Sequence, residues 1–288
     1  MMIEAGELSL AQQDGGLPTT LAGGSAPGES GVSILTMRFQ GGVHFCATPR
    51  QHLIWFQISP QVQVECWIAG ETLRHRPPPG SLAICPAGVA SRADAGISLD
   101  ALVVVVDPGQ FSLAAAEDSA LGARLDSRLS GFDQALFDLA RCLASESANN
   151  YPDGPLFWSE LAHAFIDSLL ARHASQVKNR ARGTLDEAVL KRLRDYVMVR
   201  LDQPIEVEAL AAMAGRSPFH FTRVFTRSVG LTPHRYVVHL RLRRAIELVR
   251  GGRCGLAEIA VATGFADQSH LSRWVRRVYG VSLTQLGA

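Results

Sequence analysis

The sequence predicts an α+β chain of two domains: an N-terminal β-barrel or sandwich with helices after it, and a C-terminal all-α domain with two helix-turn-helix units. Three observations lead there. Short apolar runs separated by Gly and Pro turns fill residues 31–106. Helical periodicity replaces them from about residue 132. The last hundred or so residues then repeat their own pattern at an offset of 49 to 50 positions.

The 288 residues suit two domains of ~100–200 residues each. Apolar residues make up 47% and charged residues 19%, which fits packed cores and a soluble globular chain. No apolar run approaches the ~20 residues that span a bilayer. The first residues, MMIEAGELSLAQQDGG, lack the basic start and apolar stretch of a signal peptide. The expectation is a cytoplasmic protein with no membrane partner. The five cysteines (Cys46, Cys66, Cys85, Cys142, Cys254) are widely scattered, with no CxxC or Cys/His spacing. They read as small buried apolar residues in a reducing compartment, and neither metal nor cofactor is expected.

Residues 1–30 are rich in Gly, Ser, Pro and Thr and read as a disordered tail. Strands are expected at Val32–Phe39, Val43–Thr48, Leu53–Ile58, Ser81–Cys85 and Leu99–Val106. Between them Val62, Val64, Cys66 and Ile68 alternate with Gln61, Gln63, Glu65 and Trp67, the period of a half-buried strand. In Phe132–Leu143 the residues Phe132, Leu136, Leu139 and Leu143 share a helical face. Leu156, Phe157, Leu161, Ala164, Phe165 and Leu169 do so in Pro155–His173. Such stripes either pack on their own domain or form a dimer interface. ASQVKNRARGT, residues 174–184, has no apolar face and reads as a linker.

The net charge of +1 conceals an asymmetry. Leu185–Ala288 holds 16 Lys and Arg against 9 Asp and Glu, whereas the first 184 residues hold 12 against 18. A basic domain joined to an acidic one is expected where only the second meets a polyanion. Fifteen of the 16 cations are Arg, whose planar fork suits bidentate contacts to phosphate and guanine.

The repeat lies in this basic part. Val207-Glu-Ala-Leu-Ala-Ala-Met-Ala-Gly215 aligns with Leu256-Ala-Glu-Ile-Ala-Val-Ala-Thr-Gly264. Ala211 and Ala260 match where two helices approach closely, and Gly215 and Gly264 end their helices as left-handed caps. Ser217–Gly230 aligns with Asp267–Gly280, with identical pairs His220/His270, Arg223/Arg273, Arg227/Arg277 and Gly230/Gly280. The second unit carries one extra residue in its turn. Ser217 followed by Pro218, and Asp267, are expected to cap the second helix of each unit.

Helical spacing buries Phe221, Val224, Phe225 and Ser228 in one copy and Leu271, Trp274, Val275 and Val278 in the other. It leaves Phe219, Thr222, Arg223 and Thr226 on another side in the first, and Gln268, Ser269, Ser272, Arg273 and Arg276 outward in the second. That set has the chemistry for reading base edges: Arg for guanine, Gln for adenine, hydroxyls for either, Phe for a thymine methyl. His220 and His270 sit at the edge of these faces, and packing on the partner helix or contacting phosphate are both open. Between the units, Val238, Leu242, Ala245 and Val249 share a face of one helix that holds the two in fixed relation. Its Arg241, Arg243 and Arg244 either meet phosphate or form intramolecular ion pairs.

Over roughly Leu190–Leu283 these residues resemble the AraC/XylS family of transcription regulators. The likeness rests on Leu210-Ala…Gly215-Arg-Ser217…Phe221-Thr-Arg-Val-Phe225, on Gly230-Leu-Thr-Pro233, Tyr236, Arg241-Leu and Ala245. Its most specific part is Ile259-Ala-Val-Ala-Thr-Gly-Phe-Ala-Asp-Gln-Ser-His-Leu-Ser-Arg273, closing with Tyr279-Gly-Val-Ser282. Leu283-Thr-Gln-Leu-Gly-Ala departs from the usual Pro-x-x-Tyr-Arg ending, and Glu206 stands where a Ser or Thr cap is common.

The resemblance implies a domain over 185–288 with units at about 206–228 and 256–278, both recognition helices entering successive major grooves of double-stranded DNA. It implies base contacts from Phe219, Thr222, Arg223, Gln268, Ser269, Ser272 and Arg273. Phosphate contacts are expected from His220, Arg227, Arg241, His270, Arg276 and Arg277. Pro79-Gly-Ser-Leu-Ala-Ile-Cys-Pro-Ala-Gly88 resembles a segment of the cupin-like sensor domains of many members, here over 31–173. Such a domain binds a small-molecule effector or dimerises, and an activator of this type meets RNA polymerase. Arg38, His44, Trp55, Trp67, His75 and Arg92 are candidates to line its cavity, the cations suiting an anionic ligand; the alternative keeps the aromatics in the core and the cations at the surface. A metal-dependent cupin enzyme would need His-x-His with a nearby Glu, whereas His44, His52 and His75 stand singly, so no catalysis is expected.

Overall fold

The computed structural model describes residues 19–25, 28, 30–39, 43–117, 123–176, 184–252, 254–279 and 282–283. The chain divides into two compact units: Met1–Phe111 with Leu125–Ser175, and Ser112–Arg124 with Gln176–Ala288.

The first unit is built on strands β1 (Thr19–Gly24), β2 (Val32–Phe39), β3 (Val43–Ala47), β4 (His52–Gln57), β5 (Val64–Ile68), β6 (Glu71–His75), β7 (Ser81–Cys85), β8 (Ser91–Ala95) and β9 (Leu99–Val106). In chain order there follow helix α1 (Pro108–Glu117) and β10 (Ala123–Leu125), which fall partly in the second unit, then β11 (Arg128–Phe132), α2 (Gln134–Ala148), α3 (Gly154–His173) and β12 (Ala174–Gln176), whose last residue begins the second unit's later segment. One antiparallel sheet runs β1-β2-β9-β4-β7-β11, a second β3-β8-β5-β6. Both sheets have free edges among the described residues, so they form open layers and no closed barrel.

The centre of the larger sheet follows from composition. In β9 the run Ala101–Val106 is buried at every position, flanked by β2 in register Val32 to Val106 and by β4 in register His52 to Val106. β-Branched residues paired on both sides need no polar face. Leu35, Met37, Leu53, Cys85, Val103 and Val105 form one core cluster on it. In the smaller sheet β5 and β6 are joined by Ala69 and Gly70, both at positive φ, which lets a two-residue turn match the strand twist.

Several elements differ from the sequence expectation. Thr19–Gly24, placed in the tail, pairs with β2. Residues 1–18 and most of the linker, 177–183, lie outside the described residues. β6 and β8 were not foreseen, because ETLRH and SRADA are polar and lack β-branched or aromatic runs. Phe132 is not part of the α2 stripe: it ends β11 and is exposed, while α2 buries Leu136, Ala140 and Leu143. The buried face of α3 is rotated from the expected one, holding Trp158, Ala162, Phe165, Ile166, Leu169 and Leu170. Trp158 decides it, because its Nε1 reaches Ser30 Oγ at 3.1 Å and its ring meets Tyr151 edge-on. Phe157 and Ala164 therefore face outward.

Asp133 ties these helices together. It caps α2 through Leu136 N, accepts from Arg172 Nη1 at 2.8 Å and bonds His173 Nε2 at 3.0 Å. Burial alone would raise its carboxyl pKa. The Leu136 amide, His173 and Arg172 outweigh that and hold it below the usual carboxylate range.

The second unit is helical: α4 (Glu187–Val199), α5 (Val207–Met213), α6 (Pro218–Val229), α7 (Pro233–Gly251), α8 (Leu256–Ala262) and α9 (Gln268–Tyr279). Leu190, Leu193 and Val197 of α4 pack with Leu210, Phe221, Phe225, Tyr236 and Leu240. Helix α7 touches α6 of one helix pair and α8 and α9 of the other. No described helix is long and apolar enough to cross a membrane.

Candidate nucleic-acid interface

The repeat seen in the sequence is a repeat of structure. Helices α5 and α8 start 49 residues apart, α6 and α9 start 50 apart, and the extra residue falls in the second turn. Each first helix ends in the same capping motif. Gly215 at φ +63 and Gly264 at φ +77 occupy the left-handed position. Arg216 N donates to Ala211 O and Gly215 N to Ala212 O, each at 3.0 Å. Phe265 N to Ala260 O (2.9 Å) and Gly264 N to Val261 O (3.0 Å) repeat the pair. Ala211 and Ala260 are buried, as close helix approach requires.

The starts of the second helices differ. Asp267 Oδ1 accepts from His270 N at 2.7 Å and caps α9. Ser217 holds the same place before α6 but makes no side-chain cap, so its expected role falls to Pro218 in the first turn and to Ser217 O, which accepts from Phe221 N. Glu206 and Gly255, which precede α5 and α8, make no side-chain cap either.

Phe221, Val224, Phe225 and Val229 of α6, and Leu271, Val275, Val278 and Tyr279 of α9, are buried. That leaves the candidate reading residues turned out. Phe219 is 82% exposed, and Arg223, Gln268, Ser269 and Arg273 are exposed; Thr222 and Ser272 are half-buried at the rim. An aromatic ring with that much exposure is not a core residue, and it stands beside Arg223 on the first turns of α6. The Thr222 hydroxyl donates back to Pro218 O at 2.9 Å, so what it offers outward is an acceptor.

The two matched histidines have different surroundings. His270 lies edge-on to Phe265, and Trp274 Nε1 donates to its Nε2 at 3.2 Å. It packs within its own unit. His220 is exposed, and Arg216 Nη1 approaches its Nε2 at 3.5 Å. Arg227, Arg276 and Arg277 are exposed on the C-terminal halves of the same helices, with Arg277 over the Trp274 ring.

On α7 the three arginines part company. Arg243 and Arg244 both reach Glu247 at the surface, at 3.9 and 2.9 Å. Arg241 turns inward and spends its guanidinium on Leu201 O (Nε, 2.9 Å) and Gln203 O (Nη2, 2.6 Å). Burial pulls its pKa down, with Asp202 opposing, and the group stays charged. Spacing along α7 gave no sign of this, because both carbonyls lie about 40 residues earlier in the chain.

In the first unit a cavity of about 120 Å³ opens between the two sheets. Phe39, Trp55, Val64, Ile68, Leu99 and Leu129 are among its apolar walls; Ser81, Cys66, Cys85, Asp94, His75 and Arg92 supply its polar groups. Of the expected lining residues, Trp55, His75 and Arg92 are present. Trp67 is not, and Arg38 is held at the surface by Asp100 through two bonds of 2.7 and 2.8 Å. The side chain of His44 lies outside the described residues. Arg92 pairs with Asp94 at 3.5 Å. Burial lowers the pKa of His75, and burial with Asp94 pushes the Cys66 thiol up to about 11, so both are neutral near pH 7.

Residues 210–288 match the family described as helix-turn-helix domain. The chain is 32% identical over 139 residues to the probable transcriptional regulator LumQ of Photobacterium leiognathi, covering 45% of this chain and 56% of that protein. It is 32% identical over 100 residues to the MmsAB operon regulatory protein of Pseudomonas aeruginosa, covering 35% of this chain and 32% of that one. It thus spans about half or less of these relatives. A solved AraC-type transcriptional regulator from Chromobacterium violaceum aligns with 23% identity, 35% of this chain, 90% of that one and a TM-score of 0.33. The paired units define a helix-turn-helix DNA-binding domain. Over residues 210–288 the chain carries a helix-turn-helix domain of the AraC type and is similar to known transcriptional regulators.

Proposed function

We propose that this chain is a sequence-specific, non-enzymatic transcription regulator of the cytoplasm that reads double-stranded DNA with both units at once, under control of a small effector. The observation that carries it is the duplicated outward face: Phe219, Thr222 and Arg223 on α6, Gln268, Ser269, Ser272 and Arg273 on α9, each set over a buried stripe in a domain with a balance of +7. His220, Arg227, Arg276 and Arg277 flank these faces and are assigned to phosphate. Arg241 is not, since its Nε and Nη2 are bonded to carbonyls within the domain. The DNA-binding domain is placed at 185–288, after a linker at 174–184.

The effector is assigned to the cavity between the two sheets of a cupin-like sensor domain ending at residue 173. An apolar cavity on the order of 150 Å³ holds one benzene-sized molecule, so the ligand is about one ring in size. It is mainly apolar and uncharged, because Arg38 and Arg92 already face carboxylates. RNA polymerase is a partner if the regulator activates, and a second copy of the chain if α2 and α3 dimerise.

Selection from a random duplex library, followed by anisotropy titration, tests the DNA reading. Arg223→Ala and Arg273→Ala should each relax specificity in one half of the selected site and cost ~1–3 kcal/mol per lost base contact. Normal binding by both variants would sink the assignment. A thermal-shift screen with neutral aromatic and anionic metabolites tests the sensor. Ala83 also lines the cavity, and a melting shift that a bulky substitution of it abolishes places the ligand there; no shift, with a dimer in solution, moves the first unit to a purely associative role.

A further inference from the structure

We infer that Arg241 is a positioning residue: with Gly264 it locks the second helix-turn-helix unit onto the loop that precedes the first, and so sets the spacing at which two half-sites can be read. The inference rests on the proposal that both units bind DNA together.

Three segments meet at one point. Leu201 and Gln203 belong to the loop between α4 and α5, ahead of the first unit. Arg241 belongs to α7, between the units. Gly264 belongs to the turn of the second unit. Arg241 bridges the first two segments through its bonds to both carbonyls. Gly264 closes the third side: a Cβ there would stand 2.1 Å from Leu201 O and 2.7 Å from the Arg241 guanidinium. Only hydrogen fits. Gly215, its counterpart in the repeat, has nothing within 4 Å of such a Cβ. Its glycine answers a backbone requirement alone, whereas Gly264 answers that and a close approach as well.

The geometry suits a fixed angle rather than a hinge. A guanidinium is planar and holds its donors in a rigid fork, so two carbonyls bound by one Arg are fixed relative to each other and to α7. Both carbonyls come from a loop whose Leu201 side chain is anchored in the core of the first unit, so the bonds tie α7 to that core. Gly264 then makes the turn of the second unit rest on the same group. Two linked binding modules gain affinity only when their separation matches that of their targets, and lose the gain when geometry forbids joint engagement.

The test uses the full-length chain, a bipartite duplex selected by it in vitro, each half-site alone, and duplexes with one or two base pairs added or removed between the halves. The wild-type chain should show a sharp optimum, losing about tenfold or more on a one-pair change. Arg241→Lys keeps the charge but cannot hold both carbonyls. It should bind each half-site within about twofold of wild type, lose about tenfold on the native spacing, and show a flattened dependence on spacing. Gly264→Ala should do the same. Melting by circular dichroism checks that both variants are folded. A wild-type chain indifferent to spacing overturns the inference without any variant. So does a folded Arg241→Lys with the wild-type spacing profile, and in that case the two-unit reading survives. If the wild-type chain selects no bipartite duplex, the two-unit reading fails and the inference with it.

Discussion

The two helix-turn-helix units share a pattern and differ in what holds them. In the first, the turn glycine stands in open space, Ser217 leaves its helix without a side-chain cap, and the matched histidine faces solvent. In the second, the turn glycine is pressed against Leu201 O and Arg241, Asp267 caps the helix, and the histidine is bonded to Trp274. Repetition of sequence conserves the local geometry of each turn. It does not conserve the neighbours, which differ because α4 and its following loop lie against the core of the first unit, while the second approaches that loop at Gly264 of its turn.

The largest test of this difference is the pair of glycines. Gly264→Ala should cost on the order of 3 kcal/mol in thermal or denaturant melting, since a left-handed Ala costs roughly 1–2 and a methyl forced into packed surroundings roughly 1–3. Gly215→Ala should cost only about 1 kcal/mol. Equal losses would remove the distinction. Next come the caps: Asp267→Ala should lower stability by about 1 kcal/mol and Ser217→Ala by nearly nothing, read in the same melts. The histidines follow. His270→Ala should cost roughly 1 kcal/mol through the stranded Trp274 donor, and His220→Ala should leave the melt unchanged. The smallest effect is in salt dependence. Arg227→Ala and Arg276→Ala should each reduce the slope of log affinity against log salt by about 1, with base preference unaltered.

Legibility tracked how local the cause was. Strands β2, β7 and β9 stand at the residues expected, because short apolar runs bounded by Gly and Pro turns announce themselves. β6 and β8 were not, since their residues carry no such run and only pairing with β5 makes them strands. The expected α3 stripe shares Phe165 and Leu169 with the buried face but is rotated from it, because periodicity identifies an apolar face without saying which neighbour claims it, and Ser30 and Tyr151 claim Trp158. For the candidate reading faces, helical spacing sufficed to expect Phe219, Arg223, Gln268, Ser269 and Arg273 outward, where they are exposed. The cavity was the least legible part. Of the five proposed residues whose side chains are described three line it, since alternation along a strand cannot tell a side chain aimed between two sheets from one held at the rim by an ion pair.

The sequence by itself determined the repeat, the one-residue difference between its turns, the left-handed glycines, the buried stripes and the sign of the domain's charge. These follow from backbone conformation and helical period, which act within a few residues. Tertiary structure alone decided that Arg241 faces inward, that Gly264 admits no side chain while Gly215 does, and that Arg38 stays out of the cavity. Each of those depends on a partner 40 or more residues away, Leu201 for Arg241, Leu201 again for Gly264 and Asp100 for Arg38, and pairings over such distances leave no period in the sequence.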